Sequence, residues 1–219
     1  MKLNYRAVLF DLDGTLLDTL DDLGDSINRA LIRLDCPTHG REAFRYFVGE
    51  GVRMLVERAL PAGRRDPATV ETMLQFYREE YRKGWNLKTR IYEGIPGMLD
   101  DLVARKLTLG VLSNKPQDMT TECVEGYLAR WPFAVVFGQR EHVARKPDPQ
   151  GALEAADVME VKPAEVLYLG DTATDMDTAR AAGMFAVGAS WGFRPVEDRL
   201  AHGAQAIAHH PREVAGLIR

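Results

Sequence analysis

The stretch VLFDLDGTLLDT, residues 8–19, places two carboxylates, Asp11 and Asp13, two residues apart where an apolar run stops. Ala7 to Phe10 reads as a short buried strand, and Asp13-Gly14 after it reads as a turn. Taken alone, acidic residues in such a turn are solvated punctuation. They acquire a chemical meaning only if complementary groups stand elsewhere in the chain, each just beyond a strand of its own.

Composition sets the frame for that search. The chain has 219 residues, 46% of them hydrophobic and 27% charged, enough to bury a full core as one large domain or as a main domain with a smaller insert. A net charge of −4 provides no broad basic field, so nucleic acid and anionic membrane surfaces are not the expected partners, and an anionic substrate must be held by local charges. Cys36 and Cys123 lie in no CxxC or Cys/His cluster and are expected to be reduced and buried. The apolar run near the N-terminus is too short for a signal-peptide core and no segment approaches a membrane span, so the expected location is the cytoplasm. Composition leaves monomer and homodimer equally open.

After about residue 92, short β-like runs alternate with amphipathic segments, the pattern of a parallel sheet with crossover helices. The expected strands are Ala7 to Phe10, Thr108 to Leu112, Ala134 to Phe137, Val166 to Leu169 and Phe185 to Val187, with an edge strand at Ala206 to Ala208. The expected helices are Met98 to Arg105, Gln117 to Leu128, Gln150 to Val158 and Thr174 to Ala182. Between Asp18 and about Asn86 the period changes. Leu20, Leu23, Ile27, Ala30, Leu31 and Leu34, then Val52, Leu55, Val56, Ala59 and Leu60, fall at helical spacing, and a long polar helix is expected from Asp66 to Lys83. The chain thus reads as a Rossmann-like α/β core formed by residues 1–17 and 88–219, with an α-helical insert over 18–87. The glycines and proline of NLKTRIYEGIPG suit a hinge or turn on the way back.

In such a sheet, ligands bind beyond the carboxyl ends of the strands. Asp11-Leu12-Asp13-Gly14-Thr15 follows the first expected strand. Ser113 and Asn114, in SNK, follow the second; Lys146, in ARKPDP, lies in the loop after the third; Asp171 and Asp175, in GDTATDM, follow the fourth. Each has an ordinary alternative: SNKP and GDTATD can cap helices, and a lysine in a proline-rich loop is commonly surface. Together they supply carboxylates, a cation and a hydroxyl to one edge of the sheet, as metal-assisted phosphoryl transfer requires. At about 4 Å and an effective dielectric near 20, two unit charges interact by roughly 4 kcal/mol, so a phosphate dianion meeting a carboxylate is opposed by about twice that. Hard oxygen ligands select Mg²⁺, with Asp11 and Asp171 as its carboxylates. Lys146 adds a second positive charge and Ser113 a hydrogen bond to a phosphoryl oxygen. Asp11 can then attack phosphorus, while Asp13 protonates the leaving alkoxide and later activates water.

These four segments resemble the signature motifs of the haloacid dehalogenase superfamily, in the same order. Asp11 and Asp13 match DxDGT, Ser113 the hydroxyl of the second motif, Lys146 the lysine of the third, and Asp171 with Asp175 the acidic fourth. The resemblance implies that Asp13 also offers its backbone carbonyl to Mg²⁺, and that Asp175 binds the metal directly or supports it from behind. Thr15 and Asn114, inside the same motifs, are carried over with the substrate-binding residues. Dehalogenases of the superfamily generally lack an acid/base Asp two residues after the nucleophile, so Asp13 points to phosphate chemistry.

The helical insert resembles the superfamily's cap placed directly after the first motif. FVGEGVRMLVERAL, residues 47–60, is similar to the corresponding stretch of bacterial phosphoglycolate phosphatases. That likeness implies that Gly49, Gly51 and Arg53 approach a small anionic substrate tail, although glycines before a helix also make an ordinary N-terminus. The expected substrate is a small phosphorylated metabolite, 2-phosphoglycolate first, with a sugar phosphate, nucleotide or pyrophosphate as the alternatives. A phosphomutase is disfavoured because Asp18 to Leu34 contains no His of the kind that β-phosphoglucomutases carry there, and a silent binding protein because no motif residue is missing.

Overall fold

Along the first strand successive side chains enter different cores. Val8 and Phe10 pack into one apolar cluster and Ala7 and Leu9 into another, all four fully buried, because a pleated strand covered on both faces sends alternate residues to opposite sides. The computed structural model describes residues 5–218. Its elements are, in order, β1 (Ala7–Phe10), β2 (Leu17–Asp18), α1 (Leu20–Arg33), α2 (Arg41–Phe47), α3 (Val52–Ala59), α4 (Pro67–Gly84), β3 (Arg90–Ile91) and α5 (Ile95–Ala104). There follow β4 (Thr108–Pro116), α6 (Gln117–Tyr127), β5 (Phe133–Gln139), α7 (Gln150–Val158), β6 (Val166–Gly170), α8 (Ala173–Ala182), β7 (Phe185–Ala189), α9 (Val196–Ala201), β8 (Ala206–Ala208) and α10 (Val214–Leu217).

Six strands form one parallel sheet in the order β5-β4-β1-β6-β7-β8, with helices on both faces, so the chain has the Rossmann-like α/β fold. One face carries the cluster built on α5, α6 and α10, through residues such as Met98, Leu99, Cys123 and Val214. The other is covered by α7 and α8, through Ala152, Ala155, Met176 and Ala179. The strand order reverses beside β1, and Asp11 stands at its carboxyl end, in the crevice where such sheets bind ligands.

The segment between β1 and β3 contributes the helices α1 to α4, which share an apolar cluster of their own containing Ile27, Phe44, Val56, Met73 and Tyr77, with Met119 and Phe193 reaching it from the sheet side. The two connections to the sheet are joined: β2 and β3 pair antiparallel, Leu17 opposite Ile91 and Asp18 opposite Arg90, with Arg90 Nη2 2.7 Å from Asp18 Oδ2. The Asp22 carboxylate also accepts the backbone N–H of Lys88 and of Thr89. Neither short strand is signalled by periodicity, since two residues define no period.

Some boundaries move for local reasons. The helix expected from Met98 begins at Ile95, because Pro96 is tolerated in a first turn and Gly94 supplies the left-handed residue before it. The strand expected to stop at Leu112 runs to Pro116, where it pairs with Gln139 of β5, so the polar residues of SNK are still strand. Leu9→Ala should lower stability by about 2–5 kcal/mol, the usual cost of truncating a fully buried leucine, whereas Ile32→Ala, at 63% exposure, should change it by no more than about 0.5 kcal/mol. Urea unfolding midpoints of the two variants provide the comparison.

Candidate active site

Lys146 brings the sheet-edge segments together. Its ammonium lies 2.8 Å from Asp11 Oδ1, 2.7 Å from Asp175 Oδ1 and 3.1 Å from the Leu112 carbonyl, so all three of its donors are used. Asn114 positions the lysine's backbone: its Oδ1 accepts the Lys146 N–H at 3.0 Å and its Nδ2 donates to the Lys146 carbonyl and to the Gly49 carbonyl. The expected substrate role of Asn114 is therefore corrected, because both of its polar atoms are committed to backbone and tie the loop after β5 to the helical segment.

Asp11, Asp171 and Asp175 are buried with carboxylate oxygens within 4.8 Å of one another. Asp171 Oδ1 accepts from Thr15 Oγ1 at 3.2 Å and Oδ2 from the Phe193 N–H at 2.7 Å. The Thr15 hydroxyl thus holds Asp171 and does not face a substrate. Asp175 Oδ2 caps α8, accepting both the N–H and the hydroxyl of Thr172, while Oδ1 takes Lys146 and the Tyr168 hydroxyl. A carboxylate offers about four acceptor positions, and those of Asp175 are filled. Asp11 and Asp171 retain acceptor capacity. Gly14 allows the arrangement: its φ is +90°, and a Cβ there would collide with the Asp171 carboxylate.

Three carboxylates around one ammonium leave negative charge uncompensated in a buried place, and the hard oxygen donors suit a divalent cation. Burial pushes Asp11 well above the ordinary carboxylate range against the pull of Lys146. Burial, with Asp175 nearby, pushes Asp171 up to about 7. Lys146, despite its burial, is held protonated by Asp11 and Asp175.

Asp13 is handled separately. Both its oxygens accept from Lys115 Nζ, at 3.0 and 3.2 Å. Burial opposes the charge of Lys115, but Asp13, Cys123 and Tyr77 outweigh it and the pKa lies above the ordinary lysine value. Lys115 was not among the expected site residues. The signal was the strand period: with β4 extended to Pro116, Ser113 and Lys115 share a face. The cleft above is lined by Asp11, Asp13, Ser113, Asn114 and Lys115 from the sheet edge and by Leu23, Val48, Gly49, Gly51, Val52, Leu55 and Tyr77 from the helical segment. Its volume is about 40 Å³, room for roughly three waters. Gly49 and Gly51 line it, both at positive φ. Arg53 does not: its guanidinium faces outward, paired with Glu71 and, at 3.7 Å, with Glu57, because one helical residue beyond Val52 the side chain has rotated off the cleft-facing stripe.

A sequence model described as haloacid dehalogenase-like hydrolase matches residues 8–189, spanning all of these motifs. The chain belongs to that family. It is 33% identical over 203 residues to a phosphoglycolate phosphatase of Pseudomonas putida, covering 88% of this chain and 73% of that one. It is 32% identical over 221 residues to an N-acetylmuramic acid 6-phosphate phosphatase of Pseudomonas aeruginosa, covering 99% and 96%. A crystal structure assigned as a phosphoglycolate phosphatase of Lactobacillus delbrueckii superposes with a TM-score of 0.90 at 27% identity, over 98% of both chains. The chain is accordingly an enzyme of the family's phosphatase type. Among the described residues no helix is long and apolar enough to cross a membrane.

The raised Asp171 pKa carries a stability consequence. A carboxyl that binds its proton more tightly folded than unfolded contributes stability that is present below the unfolded pKa and lost as pH rises through the folded one. Chelator-treated protein should therefore lose thermal stability between about pH 4, the unfolded value, and about pH 7, and an added divalent cation should restore more of it at pH 8 than at pH 5. Melting curves with and without chelator test this; a metal-free melting temperature that climbs steadily through that window would contradict it.

Proposed function

We propose that this enzyme is a Mg²⁺-dependent phosphatase of small phosphomonoesters, acting through an aspartyl-phosphate on Asp11, and that its substrate is 2-phosphoglycolate. The carrying observation is the division of carboxylates: Asp11 sits in a buried, cation-deficient cluster with Asp171, Asp175 and Lys146, while Asp13, two residues on, sits outside it on its own lysine. One carboxylate is placed for attack and the other for proton transfer.

Asp11, Asp171 and the Asp13 carbonyl would hold the metal, with Asp175 supporting from behind, and when bound the ion offsets phosphoryl charge. Lys146 fixes the Asp11 carboxylate and sets a permanent positive charge beside the phosphoryl group. The Ser113 hydroxyl, on the cleft wall, donates to a phosphoryl oxygen. An Asp11 oxygen bonds to phosphorus, the ester P–O bond breaks with its electron pair on the alkoxide, and Asp13 delivers the proton that alkoxide needs. Water, giving its proton to Asp13, then attacks the acyl phosphate and releases phosphate with Asp11 restored. Residues 18–87 serve as the cap over this chemistry, carried on the β2–β3 ribbon and excluding water when closed. Buried free Cys36 and Cys123 suit the reducing cytoplasm, where such a metabolite is found.

The apolar roof of Leu23, Val48, Val52 and Leu55 offers no hydrogen-bond partners for the hydroxyls of a hexose and so supports a short leaving group. A second reading has its own support, the near full-length match to the enzyme named for N-acetylmuramic acid 6-phosphate. Steady-state kinetics separate them: kcat/KM for 2-phosphoglycolate should exceed that for glucose 6-phosphate or N-acetylmuramic acid 6-phosphate by at least about tenfold, or roughly 1.4 kcal/mol at the transition state. A reversed order assigns the sugar phosphate instead.

The division of labour has its own readout. Acid-quenched wild type incubated with ³²P-labelled substrate should retain label, Asp11→Asn should retain none, and Asp13→Asn should retain some when the leaving group is a good one such as an aryl oxide. Label on Asp11→Asn at wild-type level would move the nucleophile elsewhere.

A further inference from the structure

The leaving-group side of the cleft is almost uniformly apolar. Leu23, Val48, Val52, Leu55 and the Tyr77 ring form its helical wall, and Arg53 is turned away onto Glu71. Two lysines lie near the reacting carboxylates, and they differ in what they can still bind. The Lys146 ammonium has its three donors on Asp11, Asp175 and the Leu112 carbonyl. Lys115 Nζ hydrogen-bonds a single group, the Asp13 carboxylate, the residue lines the cleft, and its side chain is only 4% exposed. Its ammonium also lies over the Tyr81 ring, 4.8 Å from the centre, and that ring is stacked on Tyr77 at 5.6 Å. It is the one cation lining this cleft among the described residues.

A second anionic group carried into so dry a space needs a counter-ion, because an unpaired buried carboxylate is strongly disfavoured. An ammonium has three donors and can pass from one carboxylate to another by a small rotation of its stem. We infer that Lys115 is a specificity-determining residue whose ammonium takes a carboxylate borne by the leaving group, one or two carbons from the ester oxygen, in exchange for the Asp13 carboxylate. Asp13, no longer paired, takes a proton from solvent and turns toward the ester oxygen as the acid the alkoxide needs. A neutral alcohol leaves the Lys115–Asp13 pair closed and is turned over slowly. The inference rests on the phosphatase reading and deepens it: it names an α-anionic leaving group as the feature recognised, and a lysine on β4, not an arginine of the cap, as what recognises it. The one bond formed in the exchange is the O–H of Asp13, its proton drawn from solvent.

The test compares 2-phosphoglycolate with its uncharged isostere 2-phosphoglycolamide, so that any general damage to the site divides out of the ratio. In the wild-type enzyme kcat/KM should favour the carboxylate by at least about tenfold. Lys115→Met should bring that ratio to within about threefold of unity, chiefly through KM of the carboxylate substrate, and Lys115→Arg should keep a preference. Because loss of a buried lysine can cost the fold, glycolate and glycolamide are also compared as product inhibitors of wild type, where glycolate should bind at least about tenfold more tightly. Lys115→Met activities that fall equally on both esters, or equal inhibition by the two alcohols, would overturn the inference. Equal hydrolysis of ester and amide by wild type overturns it too while leaving a phosphatase in place, whereas hydrolysis of neither these nor p-nitrophenyl phosphate removes the phosphatase reading itself.

Discussion

A buried ammonium ion, that of Lys146, holds the catalytic edge of the sheet together. It bonds at once to a carboxylate after β1, a carbonyl near the middle of β4 and a carboxylate in the first turn of α8, three segments far apart in the chain. Opposite charges in a low-dielectric interior fix one another's positions strongly, and removing one partner of such a pair leaves a charge with nowhere to go. The rest of the site is organised around that constraint. Asn114 holds the backbone of Lys146 on both sides, Thr172 and Tyr168 occupy the remaining acceptor positions of Asp175, and Thr15 with the Phe193 N–H orients Asp171. What remains open is acceptor capacity on Asp11 and Asp171, where a divalent cation fits the charge.

Two lysine–carboxylate pairs then give two neighbouring aspartates different environments. Asp11 is surrounded by like charge and buried; Asp13 faces a single buried cation shared with the aromatic side of α4. Residues two apart on an extended segment leave the chain on the same side, yet Gly14 turns the backbone immediately afterward, so the two carboxylates meet different partners. Separate surroundings are what allow two identical side chains to take separate chemical parts.

The helical segment meets the sheet edge through polar ties from side chains to backbone carbonyls. Asn114 reaches the Gly49 carbonyl, Arg45 Nε donates to the Phe193 carbonyl at 2.8 Å, and Arg194 donates to the Tyr46 and Val48 carbonyls. Arg194, a loop residue in SWGFRP, thus links the rim of the sheet to the helices. Such contacts, mostly single hydrogen bonds to backbone, can be broken and remade at modest cost, in contrast to the continuous apolar packing within each cluster.

How much of this is legible in the sequence follows from how local each determinant is. The strands and most helices are, because alternation and helical periodicity are written over four to a dozen consecutive residues; so are the segments carrying Asp11, Asp13, Ser113, Lys146, Asp171 and Asp175, because each follows an apolar run that reads as a strand, toward the edge where an α/β sheet gathers ligand groups. The direction of a side chain on a short helix is not, and Arg53 shows why: with α3 beginning at Val52, a register of one residue decides between cleft and solvent. Thr15 and Asn114 lie in the motifs, but the partners that claim their polar atoms, Asp171 and Lys146, are 156 and 32 residues away. Lys115 was hidden because strand pairing with β5 carries β4 past its apolar residues, and its partner Asp13 is 102 residues distant. The sequence by itself determined which chemical groups arrive at the edge, since that depends on element order and motif spacing. Only the tertiary structure decided which of them are already committed and which are left for a ligand, because a charge or hydrogen-bond donor is spent on whatever the fold places within about 3 Å of it.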